Sequence, residues 1–191
     1  MAERPKVRER TRLAILHAGI DVLSNDPSAP LGEVAARADV ARSTLHRYFP
    51  DRRSLAVAIG TYVNEQYDEV VDRGLQGGGT GLEQFRRLYV ELTDRLDLLT
   101  WWMNPGSAAL CEGSEAEVED EPDTRIVDLV ARGHEDGSID PLVSADWTEN
   151  LLWSTLYAIR MTPLSGAEGF DLRNQAVRTL MKALASDPAS I

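Results

Sequence analysis

The segment LGEVAARADVARSTLHRYFPDRRSL, Leu31 to Leu55, decides how the rest of the chain is read. Its apolar residues recur at helical steps in two short runs, one over about 31–38 and one from Ala41 or Arg42 to about Tyr48. Pro30 is tolerated in the first turn of the first run. Pro50 stops the second, because its ring cannot continue the hydrogen-bond ladder. Asp39 breaks the pattern between them and is expected at positive φ, where glycine is cheapest but Asp is tolerated. Ala35 is small where the two helices would cross, and Val40 would plug the angle between them. Two short helices joined by a tight turn have the form of a helix-turn-helix.

Working outward, a first helix is expected from about residue 5 to Ser24, with Ala14, Ile15, Ala18 and Val22 on one stripe and Asn25, Asp26 and Pro27 ending it. Downstream, Asp51 is a good N-cap for a helix reaching about Arg73, which would bury Leu55, Ile59, Tyr62 and Val70. Gly77, Gly78 and Gly79 form a flexible break. Thr80 and Glu83 have capping-box spacing, and Leu82, Phe85, Leu88, Leu92, Leu96 and Leu99 follow at three- and four-residue steps. Pro105 and Gly106 interrupt after Trp101, Trp102 and Met103. Residues 112–123 (EGSEAEVEDEPD) are acidic and poor in large apolar groups, which reads as a solvated loop or a partly disordered segment.

A helix from about Asp123 to His134 would turn Ile126, Val127 and Val130 inward and end at Gly137. Residues 144–161 carry Trp147, Leu151, Leu152, Trp153, Leu156, Tyr157, Ile159 and Met161 around most of a helix circumference. A helix apolar nearly all round is buried nearly all round, so one side is expected on its own core and another on a second subunit. Residues 171–185, capped by Asp171, add Ala176, Val177, Leu180 and Leu184. Two such helices from each of two chains would make a four-helix homodimer interface. The expected fold is all-α with about nine helices: a helix-turn-helix domain over residues 1–54 and a larger helical domain over 55–191.

Charge supports that division. The 191 residues carry a net charge of −11, yet residues 1–53 hold ten Lys/Arg against seven Asp/Glu, leaving −14 on the rest. A basic end on an acidic body suits a small DNA-contacting module attached to something else. No run approaches the ~18 consecutive apolar residues of a membrane span. The basic N-terminus lacks the apolar core of a secretory signal, and Cys111 is the lone cysteine, so a cytoplasmic protein is expected. His17, His46 and His134 are scattered with no metal-ligand spacing to Cys111, and no Lys-Ser/Thr pair follows Gly77–Gly79. No cofactor, metal or catalytic group is expected, and the chain is not read as an enzyme.

The segment around Leu31–Leu55 resembles the tetracycline-repressor (TetR) family of bacterial regulators. Ile15, Leu16 and Ala18 match in the first helix, and Ala35, Ala38, Val40, Thr44, Leu45, Tyr48, Phe49 and Leu55 match beyond it. The likeness is specific over about residues 8–60; elsewhere it is one of length and helical character. Asp39 stands where that family usually has glycine, Ala41 where it has Ser/Thr, His46 where it has tyrosine, Arg52 where it has lysine, and Gly19 where it has alanine.

The third helix is then expected in a major groove, with Arg42, Ser43 and Arg47 reading base edges of double-stranded DNA. The resemblance implies that Thr44, His46, Tyr48 and Arg52 clamp phosphates. It also implies a small-molecule site in the larger domain. A small hydrophobic or aromatic ligand would meet Phe85, Tyr89, Trp101, Trp102, Met103, Trp153, Tyr157 and Met161, with Cys111 nearby in sequence. The leading expectation is a ligand-released repressor acting as a homodimer on a palindromic operator. The alternatives are a helix-turn-helix regulator controlled by a protein partner or lacking a ligand, and an all-helical enzyme or scaffold that does not bind DNA.

Overall fold

A computed structural model describes residues 3–116, 123–162 and 166–190. They form ten α-helices: α1 (Glu3–Leu23), α2 (Leu31–Arg37), α3 (Arg42–Tyr48), α4 (Arg52–Leu75), α5 (Gly81–Asp94), α6 (Leu96–Met103), α7 (Pro105–Ala109), α8 (Thr124–Glu135), α9 (Ala145–Met161) and α10 (Gly166–Leu184). A short 3₁₀ turn, Pro188–Ser190, follows. One isolated bridge, Ile139 to Ala185, is the β-type pairing among the described residues.

Most helix ends obey the local chemistry that the sequence announces. The Asp51 carboxylate accepts from the Ser54 backbone N–H at 2.7 Å, and the Ser54 hydroxyl faces the Asp51 N–H in return, which caps α4. Hydrogen bonds from the Ser54 backbone N–H and the Ser54 side chain hold the Asp51 carboxyl below its ordinary pKa. Thr80 and Glu83 close a capping box on α5. Asp123 and Ser144 accept from backbone N–H groups in the first turns of α8 and α9. Gly137, at φ +74, lets the chain reverse after α8.

Three expectations about elements are corrected. The run through Leu99 is broken at Arg95 into α5 and α6. Residues after Met103 are helical rather than merely interrupted: Asn104 caps α7 with its side chain and Pro105 occupies the first position, where its missing N–H costs nothing. α10 begins at Gly166, so Asp171 lies inside it and is not its cap. Ten α-helices therefore stand where about nine were expected. Two side chains expected inward face water instead, Ala14 of α1 and Val127 of α8; Leu16, Ile20 and Leu129 are buried in those helices. In the acidic segment, Ala116 is buried, so residues 112–116 are not wholly a solvated loop. Residues 117–122 lie outside the described ones.

By compactness the chain falls into two units. The first joins residues 1–67 to 97–119, and the second joins 68–96 to 120–191. The core of the first unit explains this. Ile15, Leu16, Leu23, Val34, Leu45, Leu55, Ile59 and Val63 pack together with Leu98, Trp101, Cys111 and Ala116. The helix-turn-helix is thus completed by the first half of α4 and by α6–α7. In the second unit α5, α8, α9 and α10 pack on one another, burying Phe85, Leu88, Leu92, Ile126, Leu152, Leu156 and Leu180 among others. The crossing of α5 and α8 is close because it is made glycine to glycine. A Cβ on Gly81 would meet the backbone of Gly133, and a Cβ on Gly133 would meet the Ile139 side chain.

Candidate nucleic-acid interface

The interface is built from the turn upward. Asp39 adopts φ 54, the left-handed conformation expected of the turn residue, and is the one described non-glycine residue at positive φ. The Val40 N–H then bonds back to the Ala35 carbonyl at 3.0 Å, closing the turn, while Val40 itself packs against the core. α3 has one buried edge. Leu45 within it and Phe49 after it are anchored in the core, and the Phe49 N–H still reaches the Leu45 carbonyl at 2.8 Å. With those two residues inward, Arg42, Ser43, His46 and Arg47 are exposed. They sit at positions i, i+1, i+4 and i+5, which form two adjoining rows on one face of the helix. The Arg47 guanidinium lies 5.8 Å from the Tyr48 ring centroid and extends along it.

His46 is oriented as well as exposed. Its Nδ1 lies 3.2 Å from the Pro50 carbonyl, and a carbonyl only accepts, so Nδ1 carries the proton and Nε2 remains available to solvent. Thr44 is half-buried on the flank of the exposed face.

Two of the expected phosphate clamps are otherwise engaged. The Tyr48 hydroxyl donates its proton to the Arg8 carbonyl at 3.3 Å, holding the exposed basic start of α1 beside α3. The Arg52 guanidinium donates to the carbonyls of Pro27, Ser28 and Ala29 at 2.6, 3.2 and 2.6 Å. A guanidinium has five N–H donors in a fixed fork, and three bonds here point into the α1–α2 loop. The structure makes Arg52 a staple of that loop.

Sequence reading missed the support on the other side of the same loop. Asn104 donates to the Ser24 carbonyl at 2.8 Å while its Oδ1 caps α7, and the buried Ser107 hydroxyl donates to the Leu23 carbonyl at 3.3 Å. The last carbonyls of α1 have no intrahelical partner, so these donors satisfy groups that would otherwise need water. Arg53 is tied to the Glu112 carbonyl at 2.9 Å. The Asn-Pro-Gly order at 104–106 was a legible signal for a capped helix start.

Gly19 also finds its reason here. A Cβ at that position would lie 2.6 Å from Ile59 Cδ1, so the alanine that the TetR resemblance leads one to expect would require the tip of the Ile59 side chain to shift.

Comparison with known proteins decides the family. The chain is 30% identical over 181 residues to the HTH-type transcriptional repressor LfrR of Mycolicibacterium smegmatis, covering 94% of this chain and 90% of that one. The chain belongs to the TetR family. It is a DNA-binding transcriptional regulator of helix-turn-helix type. A second relative, the HTH-type transcriptional repressor KstR of the same organism, is 32% identical over 161 residues, 78% of each chain. Among solved structures, the TetR-like regulator LfrR from Mycobacterium smegmatis in complex with proflavine superposes with a TM-score of 0.64 at 28% identity, covering 93% of this chain and 95% of that one. The ketosteroid regulator KstR2 of Mycobacterium tuberculosis shares the fold at a TM-score of 0.69 and 13% identity, covering 92% and 95%. No family model matches the chain. The relatives are regulators rather than enzymes, and no described helix is long and apolar enough to cross a membrane.

The residues expected around a ligand are divided between the two units of this TetR-family chain. Trp101, Trp102 and Met103 belong to the first; Phe85, Tyr89, Trp153, Tyr157 and Met161 belong to the second. Phe85, Tyr89 and Trp101 are fully buried, and Trp102 and Trp153 are half-buried. Burial pushes the Tyr89 phenol above its ordinary pKa, with the Thr155 side chain opposing that shift. Tyr157 and Met161 are 47% and 59% exposed on α9. Trp147, 58% exposed, accompanies them on that helix.

Proposed function

We propose that this TetR-family regulator is a homodimeric repressor that reads a palindromic operator with α3 and releases it when a small hydrophobic or aromatic molecule binds. The observation that carries this reading is the face of α3. Arg42, Ser43, His46 and Arg47 are exposed together on a helix whose opposite edge, Leu45 and Phe49, is locked in the core. A short rigid helix presenting two arginines suits a major groove, where an arginine can donate two bonds to guanine. Arg42, Ser43 and Arg47 take the base edges; Thr44 and the free Nε2 of His46 take phosphates; Tyr48 positions the basic arm of α1.

Dimerisation runs through α9 and α10, residues 144–161 and 171–185. The support is the apolar surface that α9 leaves uncovered: Trp147, Tyr157 and Met161. Ligand release is supported by similarity to LfrR, whose structure is known in complex with proflavine.

The test is a binding titration of labelled DNA from the chain's own promoter region. Wild type should bind with steep salt dependence, and Arg47→Ala should relax preference at one base position at a cost of about 1–3 kcal/mol. Proflavine serves as the first release probe. Indistinguishable binding of specific and scrambled DNA would remove the reading.

A further inference from the structure

One group on the exposed face of α3 has its chemistry fixed by a hydrogen bond made elsewhere. His46 is exposed, and its Nδ1 lies 3.2 Å from the Pro50 carbonyl. A carbonyl oxygen accepts and never donates, so Nδ1 holds the proton. In a neutral imidazole the other nitrogen then has a lone pair and no proton. Nε2 is therefore an acceptor while the ring is neutral. A phosphate oxygen is an acceptor as well, and two acceptors form no bond. The imidazolium, with both nitrogens protonated, can keep the Pro50 bond and donate to a phosphate at the same time.

The surroundings decide which way DNA pushes that equilibrium. On the same helix, Arg42 stands one turn before His46 and Arg47 directly after it, all exposed. The start of α4 carries Asp51, Arg52 and Arg53, and each is engaged: Asp51 with Ser54, Arg52 with the α1–α2 loop, Arg53 with the Glu112 carbonyl. α2, packed against α3, carries Glu33 and Arg37, and Arg37 is paired with Asp21. The turn before α3 adds Asp39. The start of α1, held by Tyr48, adds Lys6, Arg8, Arg10 and the Glu9–Arg12 pair. Lysines and arginines stay cationic and carboxylates anionic between pH 6 and 8, whereas histidine is the side chain that changes charge in that window. A phosphate laid on this face brings the negative charge that favours a second proton on the ring.

We propose that operator binding is proton-linked through His46, each α3 taking up one proton as its imidazole closes on a backbone phosphate; this rests on the reading of α3 as the DNA-contacting helix and adds a proton to it. The solvent proton joins the Nε2 lone pair, Nδ1–H stays on the Pro50 carbonyl, and the new Nε2–H donates to the phosphate oxygen. The sign follows from mass action. The complex holds one more proton per subunit than the free protein, so affinity rises as pH falls, by at most about ten-fold per pH unit per subunit. The grip on DNA is tightened by acid.

The experiment titrates labelled DNA from the chain's own promoter region with the full chain at pH 6, 7 and 8, each at several salt concentrations, with scrambled DNA as the reference. Wild type should bind about ten-fold or more tighter at pH 6 than at pH 8. Its salt slope should be steeper at pH 6 by about one per subunit, for one more phosphate neutralised. His46→Gln, neutral throughout, should lose that pH dependence and show one salt slope. His46→Lys, charged throughout, should lose the pH dependence as well but keep the steeper slope at pH 8. His17 and His134 remain in every variant, so a difference from wild type belongs to position 46. The position is exposed, and circular dichroism establishes that each variant is folded. Wild-type affinity that is level from pH 6 to 8, a pH dependence that survives in His46→Gln, or a salt slope that ignores pH overturns the proposal. The two readings fail separately. Promoter DNA preferred over scrambled DNA with no effect of pH keeps α3 in the groove and removes the proton. Promoter and scrambled DNA bound alike at every pH removes the reading of α3, and the proton linkage with it.

Discussion

Arg52 shows how one residue's role changes once its neighbours are known. From sequence it is a cation at the start of a helix next to a DNA-reading motif, where a phosphate contact is the natural reading. In the structure its fork is closed on three loop carbonyls. The consequence is measurable without DNA. Arg52→Ala leaves Pro27, Ser28 and Ala29 carbonyls with water as their replacement partner and should lower unfolding stability by about 1–2 kcal/mol. A phosphate clamp with no internal bonds would leave the melting temperature of the free protein unchanged, so calorimetry on the apo chain separates the roles. Asp39 points the other way. Its φ of 54 was legible from the break in helical pattern alone, and it is a position that glycine adopts at lower cost. Asp39→Gly should raise stability by up to about 1 kcal/mol in denaturant titration, with the fold unchanged. A loss of stability there would mean that the aspartate makes a contact worth more than its backbone strain.

Between elements, what governs is how closely two helices approach, and sequence carries that only where small residues reveal it. Capping residues announced the starts of α4 and α5 because a cap is local: one side chain, three residues away from its donor. The split at Arg95 and the early start of α10 at Gly166 had no such signal, since Leu96 and Leu99 keep the apolar rhythm across the break and Asp171 imitates a cap. The merging of α6–α7 into the DNA-binding unit was illegible for a different reason. It rests on contacts between residues about eighty positions apart, such as Asn104 with Ser24. The Gly81–Gly133 crossing gives a prediction at this scale. Gly133→Ala drives a methyl group into Ile139 and should cost about 1–3 kcal/mol by overpacking, measured by thermal melting.

The same crossing carries a pH-dependent tie. The Asp136 carboxylate accepts from the Gly81 N–H at 2.7 Å and the Ser138 N–H at 3.0 Å. Burial raises its pKa, but these hydrogen bonds and the nearby Arg132 outweigh that and leave it below its ordinary value. A carboxylate whose pKa is lowered on folding stabilises the fold above its unfolded pKa, near 4, and loses that contribution as pH falls through the lower folded value. The gap in melting temperature between wild type and Asp136→Asn should therefore be present at neutral pH and narrow as the solution is acidified below about pH 4. A gap constant across that range would remove Asp136 from the acid response.

For the whole molecule, the decisive question is whether two reading helices are presented as a pair. Successive major grooves on one face of B-DNA are ~34–36 Å apart, so a single short α3 gains little affinity without a partner held at that spacing. The apolar character of residues 144–161 was plain in sequence, but periodicity could not say which of those side chains the chain covers for itself. Thr148, Leu152, Leu156 and Ile159 are covered, and Trp147, Tyr157 and Met161 are not. A charge placed among the covered residues would unfold the chain, whereas one placed on the uncovered face should separate subunits and spare the fold. Met161→Glu tests this. Its side chain is 59% exposed in the single chain, so melting of the isolated subunit should change little, while burial of an unpaired carboxylate at a subunit interface is strongly opposed. Light scattering should report a dimer for wild type and a monomer for Met161→Glu at micromolar concentration. Operator affinity should fall by at least about 100-fold with α3 untouched, while the residual binding keeps its salt dependence per subunit. A variant that stays dimeric and binds as before would place the dimer interface elsewhere on the chain; a variant that is monomeric yet binds the operator at full strength would end the two-headed reading of the protein.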